Sequence, residues 1–292
     1  MTNVPPFEEV RPGLTTSARV LSWKEGSSRE HVDELATEEP LEIRLMDGAH
    51  TRSIAVTMRT PGNDFELACG FLLSEGIIRG RSEVTGISYC VDPSVDAQQR
   101  YNIINVELAP GHDRPIERLE RHFTMSSACG VCGKATIEAL QTRARRIEDP
   151  LRVGLEFITA LPHKMRQAQR VFASTGGLHA SALFDANANL LALREDIGRH
   201  NALDKICGWA LMSDRVPLNG CILLVSGRAS YELVQKSIVA GIPIVCAVSA
   251  PSSLAVNLAS AFGVTLLGFV RDGRANIYAG QERISKPVQA QE

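Results

Sequence analysis

The sequence predicts an α/β protein in two parts, a smaller α+β unit on the N-terminal side and a larger unit with a mixed, partly parallel sheet behind it. Three observations carry that expectation. Two continuous apolar runs, residues 221–225 and 244–248, suit strands buried on both faces of a sheet. Helical patterns over 230–240 and 253–262 alternate with them, which implies parallel strands joined by right-handed crossovers. The first hundred residues instead hold short β-like runs broken by turn residues, as hairpins do.

Taken in order, residues 1–16 carry Pro5, Pro6, Pro12 and Gly13 among polar residues and are expected to form a disordered tail. Strands are expected over 18–23, 41–46 and 53–58, the last two separated by the turn-forming Asp47-Gly48. Asn63 reads as an N-cap, with Glu66 three residues on completing a capping box. The helix behind it buries Phe65, Leu67, Ala68, Phe71, Leu72 and Leu73 and stops at Gly76. Strands over 84–90 and 101–108 complete an antiparallel α+β domain spanning residues 17–121. Residues 122–134 are expected to be a mobile loop and 135–280 the second domain. That domain opens with helices over 135–144 and 162–171, the second with proline in its first turn, where a missing N–H costs least. A strand over 179–184 turns at 185–189 into another over 190–193, and a helix covers 201–212. After the alternating segment, strands over 265–270 and 275–278 close the domain, and 281–292 read as a tail.

The 292 residues carry a formal charge of −2, so no basic surface for nucleic acid is indicated. No apolar run reaches the ~18–20 residues that span a bilayer, and residues 1–12 lack a basic-then-apolar signal pattern. A soluble, cytoplasmic protein is expected. The seven cysteines (Cys69, Cys90, Cys129, Cys132, Cys207, Cys221 and Cys246) are odd in number and lie mostly in apolar runs. They form no disulfide framework and suit a reducing compartment.

Cys129-Gly130-Val131-Cys132-Gly133-Lys134 places two thiols on a glycine hinge before a helical pattern, with a lysine beside them. A helix N-terminus and a nearby ammonium both favour the thiolate. Three chemistries use such a pair. Structural zinc needs four ligands, usually from a second pair, and the supplements here are His122, His179 and His200 at no standard spacing. A thioredoxin-like dithiol belongs at the end of an early strand, whereas this pair lies between two domains. A sulfur carrier needs a reactive thiol on a swinging loop, and glycine on both sides supplies the swing.

An acceptor site is expected at the carboxyl ends of the strands in the second domain. Three turns fall there. Ser226-Gly227-Arg228 precedes one helix, Ser249-Ala250-Pro251 another, and Phe269-Val270-Arg271-Asp272-Gly273-Arg274 follows the last long strand. Serine before a helix is ordinarily a cap, and Asp272-Gly273 an ordinary hairpin turn, but together the three suit an anionic ligand with several phosphates. No glycine-rich dinucleotide fingerprint or Walker loop is present. The block Arg194-Glu195-Asp196-Ile197-Gly198-Arg199-His200-Asn201-Ala202-Leu203-Asp204-Lys205 has two readings. It is either a solvated helix start with internal ion pairs, or a pocket wall in which Asp196 or Asp204 reads a guanine edge while Arg199 and His200 hold phosphate.

Several of these segments occur in an order that resembles the FdhD family. They are Thr60-Pro61-Gly62 through Phe71-Leu72-Leu73-Ser74-Glu75-Gly76, the loop from Cys129 to Lys134, Thr175-Gly176-Gly177-Leu178-His179-Ala180, the block from Arg194 to Ala202, Ser226-Gly227-Arg228 and Ser249-Ala250-Pro251. The resemblance runs from about residue 18 to 280. It implies a sulfur carrier that takes sulfur from a cysteine desulfurase and passes it to the molybdenum bis(molybdopterin guanine dinucleotide) cofactor needed by formate dehydrogenase. It implies Cys129 as the persulfide carrier, Cys132 as its accessory, and Phe269 to Arg274 as cofactor-binding. It further implies a homodimer and a cytidine-deaminase-like, three-layer second domain. The zinc chemistry of deaminases is not expected, because His179-Ala180-Ser181 lacks their glutamate and the cysteine pair precedes the histidine. A cofactor chaperone whose cysteines are dispensable, or a dithiol oxidoreductase, is the alternative.

Overall fold

The computed structural model of the chain describes residues 12–48, 50–110, 140 and 144–285. The chain opens with a hairpin, β1 (Thr15–Lys24) and β2 (Ser27–Ala36), turned by Glu25 and Gly26, both at positive φ. Only β1 was expected. The strand β2 carries polar or charged residues at seven of its ten positions and shows no apolar alternation, because both faces of this ribbon are largely exposed.

Next come β3 (Glu39–Asp47), β4 (His50–Arg59), β5 (Val84–Tyr89) and β6 (Ile103–Leu108), which pair in the order β4-β3-β6-β5. This sheet is mixed rather than antiparallel, since β3 and β6 run parallel. The helix α1 (Asp64–Ser74) and the single turn α2 (Ala97–Arg100) lie in the connections. The capping box at α1 does not form. Asn63 adopts the left-handed conformation without a side-chain cap, and Glu66 forms an ion pair with Arg194 instead. A carboxylate offered a guanidinium has the stronger, charge-assisted partner.

The second part contains β7 (Val153–Gly154), α3 (Leu155–Ala168), α4 (Arg170–Thr175), β8 (His179–Phe184), β9 (Leu190–Asp196) and α5 (Arg199–Met212). There follow β10 (Ile222–Val225), α6 (Tyr231–Val239), β11 (Ile244–Ala247), α7 (Ser253–Phe262), β12 (Thr265–Arg271), β13 (Arg274–Ala279) and β14 (Ile284–Ser285). The helix expected from Pro162 begins seven residues earlier, at Leu155, and Pro162 lies inside it. Its missing N–H leaves one turn of α3 without a hydrogen bond. The helix then breaks at Gln169, and α4 starts afresh. Residues 281–285, expected as tail, are held in place. Arg283 is buried and donates to the carbonyls of Ile147, Asp149 and Gly263, while β14 pairs with β7.

The main sheet has the order β13-β12-β11-β10-β8-β9, with β10, β11 and β12 parallel as the apolar runs required. Alternate residues face two cores. Leu223, Val225, Val245 and Leu266 join the core shared with α1, α5, α6 and α7, whereas Ile222, Leu224, Ile244 and Leu267 face Ile158, Leu161 and Met165 of α3. The first core also takes in Leu41, Ile43 and Ile104 of the four-stranded sheet. The link between the two parts is the crossing of α1 and α5. A Cβ on Gly70 would lie 1.8 Å from the Asp204 carbonyl, and one on Gly208 would lie 1.8 Å from that of Glu66. Only hydrogen fits at either position. No helix among the described residues is long and apolar enough to cross a membrane.

Candidate functional site

The strand directions gather five segments at one edge of the main sheet. The parallel strands β10, β11 and β12 end there, and β8, antiparallel to β10, begins there with His179. The strand β9 ends there with Asp196 opposite His179, and α5 starts three residues later. The three turns expected from sequence are stitched to one another through backbone. Ser249 donates its N–H to the Gly227 carbonyl at 3.3 Å, and Phe269 donates to the Ser249 carbonyl at 3.1 Å. Ala229 donates to Ala250, and Ser252 donates back to Ala229. The close fit at the third turn requires glycine, because a Cβ on Gly268 would press on Pro251 at 2.8 Å.

Side chains on this shelf divide by exposure. Ser230 and Ser252 spend their hydroxyls capping α6 and α7. Ser226 is fastened to β8, its hydroxyl accepting the Ala180 N–H at 2.9 Å. Ser249 and Gly227 are half-buried, Arg228 is exposed, and Gly227 lies against the His179 ring. Phe269 takes a positive φ, Val270 is buried in the second core, and Arg271, Asp272, Gly273 and Arg274 form an exposed hairpin tip beyond the edge. The two arginines therefore reach into solvent from the shelf's outer side.

The polar block at 194–205 splits into structural and unengaged members. Asp196 is fully buried. One oxygen accepts Lys205 Nζ at 2.7 Å and the Thr60 N–H, and the other accepts the N–H of Gly198 and the amide of Asn201. Its oxygens are occupied from within the fold, so it braces the loop and presents nothing to a base. Asp204 is bound by Lys236 and the Ser74 hydroxyl. Glu195 accepts three N–H groups at the start of α4. Arg199 differs. Its Nε is buried and without a hydrogen-bond partner among the described residues. A buried guanidinium atom left unpaired is costly unless a ligand completes it. His200 pairs with Glu232 at 2.8 Å, and that hydrogen bond, helped by the charges of His200, Lys236 and Arg199, holds the Glu232 carboxyl below its ordinary value against the opposing effect of burial. Burial first, then the positive charges of Arg199 and His200, depress the His179 pKa below 6.5. A neutral imidazole thus stands beside an unpaired cation at the sheet edge.

Beside this shelf opens a cavity of about 650 Å³ between α3, α4 and the ends of β8, β10 and β11. Met165, Arg166, Gln169, Phe172, His179 and Ser226 contribute to its wall. The α3 and α4 residues were missed from sequence, where they read as ordinary positions on an amphipathic helix. Nothing in the sequence marks the break at Gln169, which falls inside the single helix expected over 162–171. Among the described residues no group of three or more His, Cys, Asp or Glu is arranged to hold a metal ion.

Both Cys129 and Cys132 lie outside the described residues. The five described cysteines are all buried thiols. Burial pushes Cys69 up to about 11 and Cys207 up to about 12, and it raises Cys221 and Cys246 as well. None of these four is poised as a thiolate at neutral pH.

A profile of the FdhD/NarQ family matches residues 36–285. The chain belongs to the FdhD/NarQ family. Its relatives include two proteins named sulfur carrier protein FdhD. That of Mycolicibacterium paratuberculosis is 51% identical over 93% of this chain and 99% of its own, and that of Streptomyces avermitilis is 50% identical over 93% and 96%. A third relative of the same name, from the archaeon Saccharolobus solfataricus, is 42% identical over 89% of this chain and 95% of its own. A solved structure, of a protein assigned as a formate dehydrogenase accessory protein from Desulfotalea psychrophila, superimposes with a TM-score of 0.72. It covers 94% of this FdhD/NarQ chain and all of the other at 24% identity, which is a likeness of fold.

Proposed function

We propose that this FdhD/NarQ protein is a sulfur carrier in formate dehydrogenase maturation, a sulfurtransferase that holds sulfur as a persulfide on Cys129. The observation that carries the reading is the near-full-length identity of about half to relatives named sulfur carriers. The cysteine inventory supports it, since four of the other thiols are driven toward the protonated state by burial. In the loading step the Cys129 thiolate attacks the terminal sulfur of a cysteine persulfide on the donor, a cysteine desulfurase. The donor's S–S bond breaks, its cysteine leaves as thiolate, and Cys129 gains the terminal sulfur as a persulfide. No external oxidant or reductant enters. Cys132, three residues on in the sequence, is the accessory thiol.

The acceptor in this reading is the molybdenum bis(molybdopterin guanine dinucleotide) cofactor, a substrate with several phosphates. The shelf formed by Gly227, Ser249 and Phe269, flanked by Arg199, His200, Arg228, Arg271 and Arg274, suits those phosphates, and the unpaired Nε of Arg199 fits an anionic oxygen. The client is the formate dehydrogenase catalytic subunit, and the protein acts as a homodimer in the cytoplasm. Incubating the protein with a cysteine desulfurase and cysteine, then mapping the added sulfur by mass spectrometry, tests the assignment. One extra sulfur on the peptide carrying Cys129, absent in Cys129→Ala, is expected. Sulfur only on other cysteines would sink it, and full maturation of formate dehydrogenase by a protein lacking both Cys129 and Cys132 would favour a cofactor chaperone.

A further inference from the structure

The chain on either side of Arg199 is held by one carboxylate oxygen. Asp196 Oδ1 accepts the Gly198 N–H at 2.8 Å and the Asn201 side-chain N–H at 3.1 Å. Only Arg199 and His200, at the start of α5, lie between these two grips. The packing there is close, since a Cβ on Gly198 would stand 3.1 Å from the Asn201 amide nitrogen. The turn that presents Arg199 thus begins at a residue with no side chain to anchor it, and the two hydrogen bonds fix its place.

Asn201 is in turn anchored outside its own helix. Its amide nitrogen donates to the Met58 carbonyl at 2.7 Å, and its amide oxygen accepts the Thr57 hydroxyl at 3.3 Å. Both partners belong to β4, in the four-stranded sheet of the N-terminal part. The side chain is 8% exposed, and its N–H groups and its oxygen are all engaged. Only an amide offers two N–H donors beside an acceptor. Aspartate would set a second carboxylate against Asp196 and the Met58 carbonyl, and leucine would leave all three partners facing an apolar surface. The same seam is reinforced by the Thr60 N–H on Asp196 Oδ2 and by Lys205 Nζ on the Thr60 carbonyl.

Arg199 stands at the rim of this knot with its buried Nε unpaired among the described residues. Charge-assisted hydrogen bonds are short and directional, so their strength depends on where the donor is held.

We propose that Asn201 is a positioning residue for Arg199. By tying the first turn of α5 to β4, it sets the guanidinium for the phosphates of the anionic ligand. The inference rests on the acceptor half of the sulfur-carrier reading and gives Asn201 no ligand contact of its own. It makes a strand of the N-terminal part a support for the anion site of the second part.

The test is a double-mutant cycle, read by titration calorimetry of the full chain with guanosine diphosphate as the phosphate-bearing probe. Asn201→Leu is expected to weaken binding about fivefold or more, part of what a charge-assisted hydrogen bond supplies. In an Arg199→Gln background the same substitution should change binding by less than about twofold, because the group it positions is gone. In an Arg271→Gln background the full loss should persist. A purely structural role would instead give the same loss in every background. Asn201→Ser carries the same cycle if the leucine variant does not fold. An equal loss in the Arg199→Gln background, or no loss from a folded Asn201 variant, overturns the proposal. Persulfide loading of Cys129 needs no phosphate grip. Failed loading beside a coupled cycle sinks the sulfur-carrier reading and leaves Asn201 in its role, whereas normal loading beside an uncoupled cycle sinks only the positioning role.

Discussion

Two regions along the same helix treat buried charge in opposite ways. At the interface of α5 with α1 and α6, Asp196–Lys205 and Asp204–Lys236 are buried ion pairs whose oxygens also accept the Thr60 N–H, the Gly198 N–H and the Ser74 hydroxyl. At the first turn of α5, Arg199 keeps a buried Nε without a partner and His200 is shared with the half-exposed Glu232. Satisfied charges fix where the elements sit, whereas unsatisfied ones show where the fold stops short and a ligand is expected. The difference lies in what surrounds each group. Asp196 is enclosed by chain on every side, and Arg199 stands at the strand ends, where the backbone has run out.

The contrast is sharpest if the first region is broken. Lys205→Met leaves Asp196 a buried charge without its cation and is expected to cost about 3 kcal/mol in chemical unfolding. That is the low end for breaking a buried pair, because three N–H groups still hold the carboxylate. A loss under about 1 kcal/mol would mean that the pair does not organise the interface. A smaller effect, on a different observable, is expected from Arg199→Gln. Stability should stay within about 0.5 kcal/mol, as for a group without a structural partner, while guanosine diphosphate binding weakens by at least ~1.5 kcal/mol, the lower range for a charge-assisted hydrogen bond. Titration calorimetry beside unfolding curves checks both, and the reverse pattern would place Arg199 with the structural charges.

The smallest effect concerns His179, whose pKa is depressed by burial and then by Arg199 and His200. A folded pKa below the unfolded one means that unfolding takes up a proton. The stability His179 contributes is therefore fully present above pH 6.5 and is lost as pH falls through the lowered folded value. Following its ring resonances by NMR should give a midpoint below 6.5 in the wild type. In Arg199→Gln the midpoint should rise but stay below 6.5, since burial is the larger cause. A wild-type midpoint at or above 6.5 would remove the neutral imidazole from the site.

The alternating second half was legible in the sequence because its strands are buried on both faces, so 221–225 and 244–248 read as unbroken apolar runs and the turns behind them fall on one edge by topology alone. The shelf followed from that. The hairpin strand β2 was not legible, since an exposed ribbon needs no apolar face and leaves no period to detect. The capping box at Asn63 looked complete locally, but Glu66 is taken by Arg194 from the other half of the chain, a partner no window around residue 63 contains. The division of the block at 194–205 was equally out of reach. Asp196 and Arg199 are three residues apart and alike in being charged, and only Lys205, Thr60 and Asn201 closing around the first reveal that it is spoken for. Gln169 read as part of one helix over 162–171 and Phe172 as lying just past it, and only the break of α3 puts both in the wall of the cavity.

The glycine crossing of α1 and α5 has a consequence for how the chain is made. The helix that covers Leu67, Ala68 and Leu72 is encoded more than a hundred residues downstream, and its backbone must touch that of α1 directly. A ribosome therefore releases the whole four-stranded sheet and its helix before their cover exists. The apolar flank of the early half is covered only once the segment around Gly208 has been made, so the two halves are expected to close together late in synthesis rather than one at a time.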